Sequence, residues 1–256
     1  MTKRLVLSVI SSIFDPTGLF GPVTVHYKIF IQQLWLRQIS WDEELPHDLQ
    51  ETWKKLYQQL PALNNISIPR LVKIKGEVTT IQIHGFCDAS ERVVGACVYI
   101  RSRNANGNLH LQLLCSKSRV SPVKQVSIPR LEHCGAQLLA RLIKKVLPIL
   151  CIPMDSVHLW TDPRLVLTWL QNIPTRWNTY VANRVSDIQD ITSNFFWHHV
   201  ASEENPADVL SRGTDHLGWY KVRSYGPIPT LLQKKLLLNN ANTMYAWQTQ
   251  MALKKF

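Results

Sequence analysis

The sequence predicts an α/β fold in which one mixed sheet of five strands is flanked by helices. Three strand-like segments follow one another, and the Asn106-Gly107 pair between the second and third is typical of a hairpin. Two further strand-like segments alternate with helical patterns, and such crossovers join parallel neighbours. With 45% hydrophobic and 18% charged residues, the chain of 256 residues has enough apolar side chains for a sizeable core.

Residues 1–75 are predicted to form a small helical unit that precedes the sheet. A Gly/Pro turn over residues 15–22 (DPTGLFGP) leads into a helical pattern from Val23 to about Ile39. A second helix is predicted from Pro46 to Leu60, because apolar residues recur there at helical spacing.

The first residues imitate a secretory leader, with basic residues before an apolar stretch from Leu5 to Phe14. The pair Asp15-Pro16 interrupts this stretch, and no A-x-A cleavage site follows. We therefore expect a mature intracellular segment. The basic residues are too dispersed to distinguish nuclear from cytoplasmic residence.

Residues 76–213 contain the predicted sheet. Strands are predicted at Thr79–Phe86, Val93–Arg101, Leu109–Ser116, Val157–Thr161 and Phe195–Val200. Helices are predicted at Arg130–Leu147 (opened by Pro129 and ended by Pro148), Pro163–Gln171, Asn178–Ile191 and Asn205–Leu210, the last stopped by Gly213. Residues 214–256 form a basic, Asn-rich tail that we expect to be partly disordered.

The net charge of +11 points to a polyanionic partner such as a nucleic acid. Basic residues flank Glu132 in one stretch: Arg101, Arg103, Lys117, Arg119, Lys124, Arg130, Arg141, Lys144 and Lys145. Such a stripe would neutralise phosphates, and an ordinary solvated surface is the alternative. No apolar run reaches the roughly 18 residues of a membrane-spanning helix, so no membrane partner is expected.

The cysteines point to reduced, buried thiols rather than to a disulfide framework or a zinc site. They are odd in number, have no C-x-x-C spacing and stand among apolar residues: Cys87, Cys97, Cys115, Cys134 and Cys151.

Four carboxylates stand at predicted strand ends or helix starts. Asp88 ends the first strand, Glu132 lies in the first turn of the long helix, Asp162 ends the fourth strand and Asp208 lies in the first turn of the last helix. Carboxylates that converge at one sheet edge raise each other's pKa, and divalent cations relieve this conflict. Hard oxygen ligands favour Mg²⁺ or Mn²⁺. Ordinary helix-cap or turn acids are the alternative interpretation of each residue taken singly.

Seven stretches in order resemble the polyprotein of BEL/Pao-type retrotransposons, in the so-called Pao retrotransposon peptidase region. This part of the polyprotein joins the C-terminal end of a reverse transcriptase to a ribonuclease H domain. The stretches lie within roughly residues 4–230: 12–22 (SIFDPTGLFGP), 66–70 (ISIPR), 86–90 (FCDAS), 116–122 (SKSRVSP), 128–132 (IPRLE), 177–188 (WNTYVANRVSDI) and 205–213 (NPADVLSRG).

The resemblance implies a ribonuclease H-like fold and an endonuclease, a hydrolase that cuts the RNA strand of RNA–DNA hybrids. Asp88, Glu132, Asp162 and Asp208 would be the catalytic residues and would hold two Mg²⁺ (or Mn²⁺) ions, with Asp88 bridging both. Residues 1–75 would correspond to a reverse transcriptase thumb or connection. The sequence has neither a Y-x-D-D polymerase motif nor a His/Cys zinc-binding integrase region. We therefore expect a fragment or host-retained remnant, with the missing reverse transcriptase region as a further partner.

Some residues depart from the family pattern. Pro163 follows Asp162 where a serine is usual, which removes a hydroxyl near the site. His133 and Gly135 stand beside Glu132 where apolar residues or alanine are expected, and glycine costs about 1 kcal/mol in a helix interior. His199 comes near the place of a mobile family histidine that assists product release. It is therefore a candidate auxiliary residue, with a structural role as the alternative.

Candidates for nucleic-acid contact are Lys117 and Arg119, in a family-like loop, together with Arg130, Asn183 and Arg184. Hybrid recognition should depend on backbone shape and 2′-hydroxyls rather than on base edges.

Two other functions are considered. A peptidase is disfavoured, because the nearest match to a D-T/S-G turn is interrupted by Pro16 and no G-x-S-x-G turn occurs. The main alternative is a catalytically inert, domesticated fragment that only binds nucleic acid or a protein partner.

Overall fold

The computed structural model describes residues 1–65, 67, 71–150 and 154–214. Cys151, most of the 66–70 stretch and all of the predicted tail except Thr214 lie outside the described residues. The described part has seven α-helices: α1 (Lys3–Ser11), α2 (Gly21–Leu36), α3 (His47–Leu63), α4 (Ile128–Leu150), α5 (Arg164–Gln171), α6 (Thr179–Thr192) and α7 (Asp208–Arg212). Its five strands are β1 (Val78–Ala89), β2 (Val93–Asn104), β3 (Leu109–Val120), β4 (Ser156–Thr161) and β5 (Phe196–His199).

The predicted mixed sheet is confirmed. The strand order is β3-β2-β1-β4-β5, with antiparallel pairing among β1, β2 and β3 and parallel pairing from β1 to β4 and from β4 to β5. The two parallel pairs follow from the helical connections α4 and α5–α6, which return the chain to the same end of the sheet.

The two faces of the sheet bury different layers. On one face, alternate residues of β1 such as Ile83 and Cys87 pack with α4 residues such as Leu139 and Ile143 in the largest core. On the other face, Phe86 of β1 packs with Trp160, Val200 and Leu210 in a smaller core. The two-residue period of a strand therefore separates the α4 layer from the layer that contains α7.

The N-terminal helices have a core of their own around Trp53, which is 2% exposed and stacks on Phe30 at 5.7 Å between ring centroids. This unit packs against the edge strand β3 through α2. Lys28 Nζ donates to Ser118 Oγ at 2.8 Å, and Gln32 Nε2 donates to the Ser121 carbonyl at 2.7 Å. The helical unit is thus joined to the sheet by buried and polar contacts.

One helix was not predicted, and the end of another was predicted wrongly. Helix α1 overlaps the apolar stretch that imitates a leader, and Thr2 caps it by accepting a hydrogen bond from the Leu5 amide. Helix α4 passes through Pro148 and ends at Leu150. A proline so close to the end removes a single main-chain donor, and few following turns depend on it. Among the described helices, none is both long and apolar enough to cross a bilayer.

Candidate active site

Asp88 and Asp162 occupy neighbouring positions at the carboxyl ends of β1 and β4. In the parallel pair of β1 and β4, Cys87 is in register with Thr161, so the next residue on each strand is a carboxylate. The carboxyl ends of parallel strands meet at one edge of a sheet, which is where open α/β folds bind their ligands. Local strand patterns, together with the crossover rule, therefore bring these two acids together.

Glu132 reaches the same edge from the first turn of α4. The helix approaches β1 closely here, because a Cβ atom at Gly135 would lie 3.3 Å from the Asp88 carbonyl oxygen. A small residue one turn after Glu132 therefore permits the approach, which is why the predicted helix-weakening glycine is tolerated. Burial raises the pKa of the Glu132 carboxyl, and the charges of Asp88 and Asp162 raise it further.

Asp208 begins α7 beside the end of β1. Asn205, which is 3% exposed, fixes this approach: its Nδ2 donates to the Cys87 carbonyl at 3.0 Å, and its Oδ1 accepts from the Ala207 amide at 3.1 Å. Burial raises the pKa of the Asp88 carboxyl, and Asp208 and Asp162 raise it further. The charge of Asp88 thus interacts with those of Asp208 and Asp162, and the charge of Glu132 interacts with those of Asp88 and Asp162.

Three of the four carboxylates accept hydrogen bonds from protein side chains. Ser211 Oγ donates to Asp88 Oδ2, Ser202 Oγ donates to Asp162 Oδ2, and Arg212 Nε donates to Asp208 Oδ1 at 2.6 Å. Within the described residues, no three His, Cys, Asp or Glu side chains are grouped closely enough to ligate one ion as they stand. Ion binding would therefore require the carboxylates to move closer together than they stand here.

The donor set nevertheless fits hard divalent cations. It consists of carboxylate oxygens, and at least two of the carboxyl groups have a pKa raised by burial and by their neighbours' negative charges. Crowded anions of this kind are stabilised by Mg²⁺ or Mn²⁺, which prefer oxygen ligands.

Two hydroxyls at the site were missed by the sequence analysis. Ser202 donates to Asp162 and so supplies a hydroxyl near the site that Pro163 does not provide. Ser211, which is buried, bridges from α7 to Asp88. No local pattern marks either residue, because their partners are far away in the sequence. The Asp208–Arg212 pair could have been found from its i,i+4 spacing on a helix.

The neighbouring histidines have separate environments. His199 Nε2 lies 3.8 Å from Asp162 Oδ1, so it stands at the rim of the carboxylate group. His198 instead lies 3.0 Å from His158, between ring nitrogens, on the smaller-core face. His133 is buried with its ring 5.1 Å from Trp169, and burial lowers its pKa to about 4.

The predicted thiols are confirmed where they are described. Cys87, Cys97 and Cys115 are buried, Cys134 is half-buried, and all four are free. Burial raises the pKa of the Cys87 thiol to about 12, which makes it inert beside Asp88.

The sequence matches the family described as Pao retrotransposon-like RNaseH-like domain over residues 2–163. The chain belongs to this family. The matched residues of this Pao-type domain include α1 to α3 as well as the first four strands, and α7 with Asp208 lies beyond them. The predicted resemblance to Pao-type elements is confirmed.

The Pao-type domain is also similar to several solved structures. Ribonuclease H1 from the halophilic archaeon Halobacterium salinarum is 13% identical with a TM-score of 0.32, covering 52% of this chain and 94% of that one. LC11-RNase H1, solved with an RNA/DNA hybrid, is 15% identical with a TM-score of 0.35, covering 51% and 93%. A foamy viral protease–reverse transcriptase, also solved with a hybrid, is 11% identical with a TM-score of 0.28, covering 67% and 25%. No curated protein matches. The fold assignment depends on the family match and on the strand order described above.

Two of the predicted nucleic-acid residues of the Pao-type domain meet on one ring. The Arg184 guanidinium lies 3.7 Å from the centroid of Tyr180, and the Arg130 guanidinium lies 5.0 Å from it. The Tyr180 hydroxyl is 3.3 Å from Cys134 Sγ, which fixes the ring between α4 and α6. Among the described residues, neither guanidinium forms an ion pair. Two positively charged groups therefore contact one aromatic ring. One of them, Arg130, lies two residues before Glu132 on α4.

Lys117 and Arg119 of the Pao-type domain are exposed on the edge strand β3. They pair with Ala96 and Val94 of β2, respectively. These two residues pair in turn with Cys87 and Ala89 near the end of β1. Both thus lie about 10 Å from β1, at the end that bears Asp88. Asn183 is exposed on α6.

The predicted basic stripe is not continuous. Arg101 pairs with Gln82 at the opposite end of β1, about 20 Å from Asp88 along the strand. It donates to Gln82 Oε1 at 2.6 Å. Arg141 is engaged with Asp187 at 2.8 Å. Basic residues that are close in the sequence are separated in space, because antiparallel strands place successive segments at opposite ends of the sheet.

Proposed function

We propose that this chain is a ribonuclease H-type endonuclease that hydrolyses the RNA strand of RNA–DNA hybrids with two divalent metal ions. The observation that carries the proposal is the joint position of Asp88, Glu132, Asp162 and Asp208 at one sheet edge, where burial and mutual charge raise the pKa of Asp88 and Glu132. The family membership and the retroelement context support it.

The four carboxylates would hold Mg²⁺ or Mn²⁺ and orient the scissile phosphate between them. When bound, the ions supply a water of lowered pKa and charge stabilisation for the departing 3′-oxygen. Ser211 and Ser202 would orient Asp88 and Asp162 by donating to one oxygen of each. His199, which lies near Asp162 at the rim, would assist product release.

The hybrid backbone would lie across Lys117 and Arg119 on one side and Arg130, Asn183 and Arg184 on the other. The Arg130 and Arg184 guanidinium groups would each contact phosphate, since no carboxylate of the described residues neutralises them. Contacts of this kind position the duplex and read no sequence. A reverse transcriptase region in the same polyprotein would extend the grip on the hybrid through the helical unit of residues 1–75, which we propose is thumb- or connection-like.

The test is cleavage of a hybrid labelled on its RNA strand by the purified chain in Mg²⁺ or Mn²⁺. Metal-dependent cutting of RNA, absent with chelator and in Asp88→Asn, is expected. A matched control is Asp190→Asn, which removes an exposed carboxylate from α6 away from the site. Cutting that persists in Asp88→Asn would contradict the assignment.

A binding module without catalysis is the second candidate. The specific observation in its favour is the 2.6 Å pairing of Asp208 with Arg212, which competes with metal for that carboxylate. In this case the chain binds hybrid in a salt-dependent way and leaves it uncut at every metal concentration. Arg212→Gln separates the two functions: a nuclease held back by this pair cuts faster or at lower metal concentration in the variant, and a binding module remains inactive.

A further inference from the structure

The turn at residues 15–22 is the most distinctive sequence motif that the proposed chemistry does not use. Asp15 fixes its shape, because its carboxylate accepts hydrogen bonds from the Leu19 amide at 2.8 Å and the Phe20 amide at 3.0 Å. The turn is therefore a preformed element rather than a passive linker between α1 and α2.

This turn docks on β3. The Ser116 amide donates to the Thr17 carbonyl at 2.9 Å, and Ser116 Oγ donates to the Gly18 carbonyl. Gly18 has φ +73°, and a Cβ atom there would overlap the Ser116 carbonyl oxygen. Only glycine satisfies both the backbone conformation and the close approach.

The turn also meets α7, the helix that bears Asp208. A Cβ atom at Gly21 would lie 2.5 Å from Leu210 Cδ1. Leu210 is 2% exposed and also packs against Gly95 of β2. A Cβ atom at Gly95 would lie 3.0 Å from Leu210 Cγ. The Thr214 amide then donates to the Pro22 carbonyl at 2.9 Å.

Helix α7 depends on such support because it has only five residues, too few for a helix to be stable by itself. It carries Asp208 and also Ser211, which donates to Asp88. A displacement of Leu210 would therefore move one carboxylate and the hydroxyl that orients another.

We propose that the 15–22 turn is a positioning element for the metal site, acting through Leu210 on Asp208 and Ser211. The inference rests on the proposed function for its link to cleavage. Its direct consequence is metal affinity, which can be measured without any turnover. The helical unit is then part of the nuclease centre as well as a neighbour of the sheet.

The experiment measures Mn²⁺ binding to the full chain by calorimetry for the wild type, Gly18→Ala and Gly107→Ala. Gly107 is a matched control, since it has φ +80° with nothing within 4 Å of its Cβ position. Both variants carry the same backbone strain, and only Gly18→Ala disturbs the docking. We expect about a tenfold loss of Mn²⁺ affinity in Gly18→Ala, as for lost supporting contacts at metal sites, and no loss in Gly107→Ala.

Unchanged affinity in folded Gly18→Ala overturns the proposal, as does a wild-type chain that binds no Mn²⁺. A wild type that binds Mn²⁺ and leaves hybrid intact contradicts the nuclease function alone, because the affinity ratio still reports positioning. Should Gly18→Ala not fold, Ser116→Ala replaces it, because this variant removes only the hydroxyl that donates to the Gly18 carbonyl. We expect it to weaken Mn²⁺ binding, and unchanged affinity overturns the proposal.

Discussion

Opposing influences act on the carboxyl group of Asp88. Burial raises its pKa, as do Asp208 and Asp162, while the hydrogen bond from Ser211 lowers it. The hydrogen bond from Ser211 therefore favours the ionised form of Asp88, which is the form that binds metal. A hydroxyl on a different element thus acts on the pKa of a candidate metal ligand.

Ser211→Ala is expected to move the acid limb of the cleavage pH profile to higher pH. Without the donor, the pKa of Asp88 rises, so a larger fraction of the site is protonated at a given pH. We expect the rate at pH 7 to fall about tenfold, the scale of lost outer hydrogen bonds at metal sites. Ser193→Ala, at the exposed end of α6, serves as the control. A profile of unchanged shape in Ser211→Ala would contradict this role.

Glu132→Gln is expected to stabilise the metal-free chain at neutral pH by several degrees in melting temperature. The pKa of Glu132 is raised in the folded state, so the folded chain binds this proton more tightly and ionisation lowers stability as pH rises. Neutral Gln removes that penalty. The gain should disappear below about pH 4, where the acid is protonated in both states. Thermal unfolding in chelator from pH 3 to 8 tests this, and saturating Mg²⁺ should reverse the order of stability.

At the scale of elements, Arg130 of α4 and Arg184 of α6 both contact the Tyr180 ring. Neither guanidinium forms an ion pair with a carboxylate among the described residues. A phosphate bound beside both groups would offset their mutual repulsion.

Arg130→Gln/Arg184→Gln is expected to weaken hybrid binding and its salt dependence together. Each lost phosphate contact lowers the slope of log affinity against log salt by about 1, so the pair should lower it by about 2. The measurement uses fluorescence anisotropy in an Asp88→Asn background, which prevents cutting. Lys54→Gln/Lys55→Gln removes the same charge from the exposed surface of α3. Equal slopes in the two double variants would show that only net charge matters.

The elements differ in how far local sequence determined them. The strands and α4 to α6 could be predicted because their apolar period and their Pro or Asn starts are local signals. Helix α1 could not be predicted, because a short apolar stretch after basic residues occurs both in leaders and in helices of folded domains. The support from Ser211 and Ser202 also escaped prediction, because register and crossover geometry alone bring them to Asp88 and Asp162.

At the scale of the whole molecule, a row of histidines crosses three strands on the face shared with Asp88. His84, His158 and His198 lie on β1, β4 and β5, with 5.2 Å between successive ring centroids. Ser156 Oγ lies 2.9 Å from His158 Nε2, and Trp160 Nε1 donates to His84 Nδ1 at 3.3 Å. Burial lowers the pKa of His158 to about 4, with further lowering by the charges of His198 and Arg101, and burial alone lowers the pKa of His198 to about 4.

The row predicts stability that is lost in mild acid. A histidine with a lowered folded pKa binds its proton more tightly when unfolded, so stability is fully present above about pH 6.5 and falls toward pH 4. We expect the melting temperature to drop by several degrees over this window. His198→Phe, which keeps the stacking on Trp160, should flatten the dependence, and exposed His47→Phe should not. Identical pH dependence in wild type and His198→Phe would contradict this role.

The hydrogen bond from Ser211 to Asp88 spans 123 residues, and the one from Asn205 to Cys87 spans 118. Contacts of such separation form late, because the intervening chain must be ordered before they contribute. During synthesis, β1 to β4 and α4 emerge from the ribosome before α7 exists. The nascent chain would therefore complete its candidate metal site only once residues near 214 have left the ribosome. A nuclease assembled in this order would not cut nearby RNA before that point of synthesis.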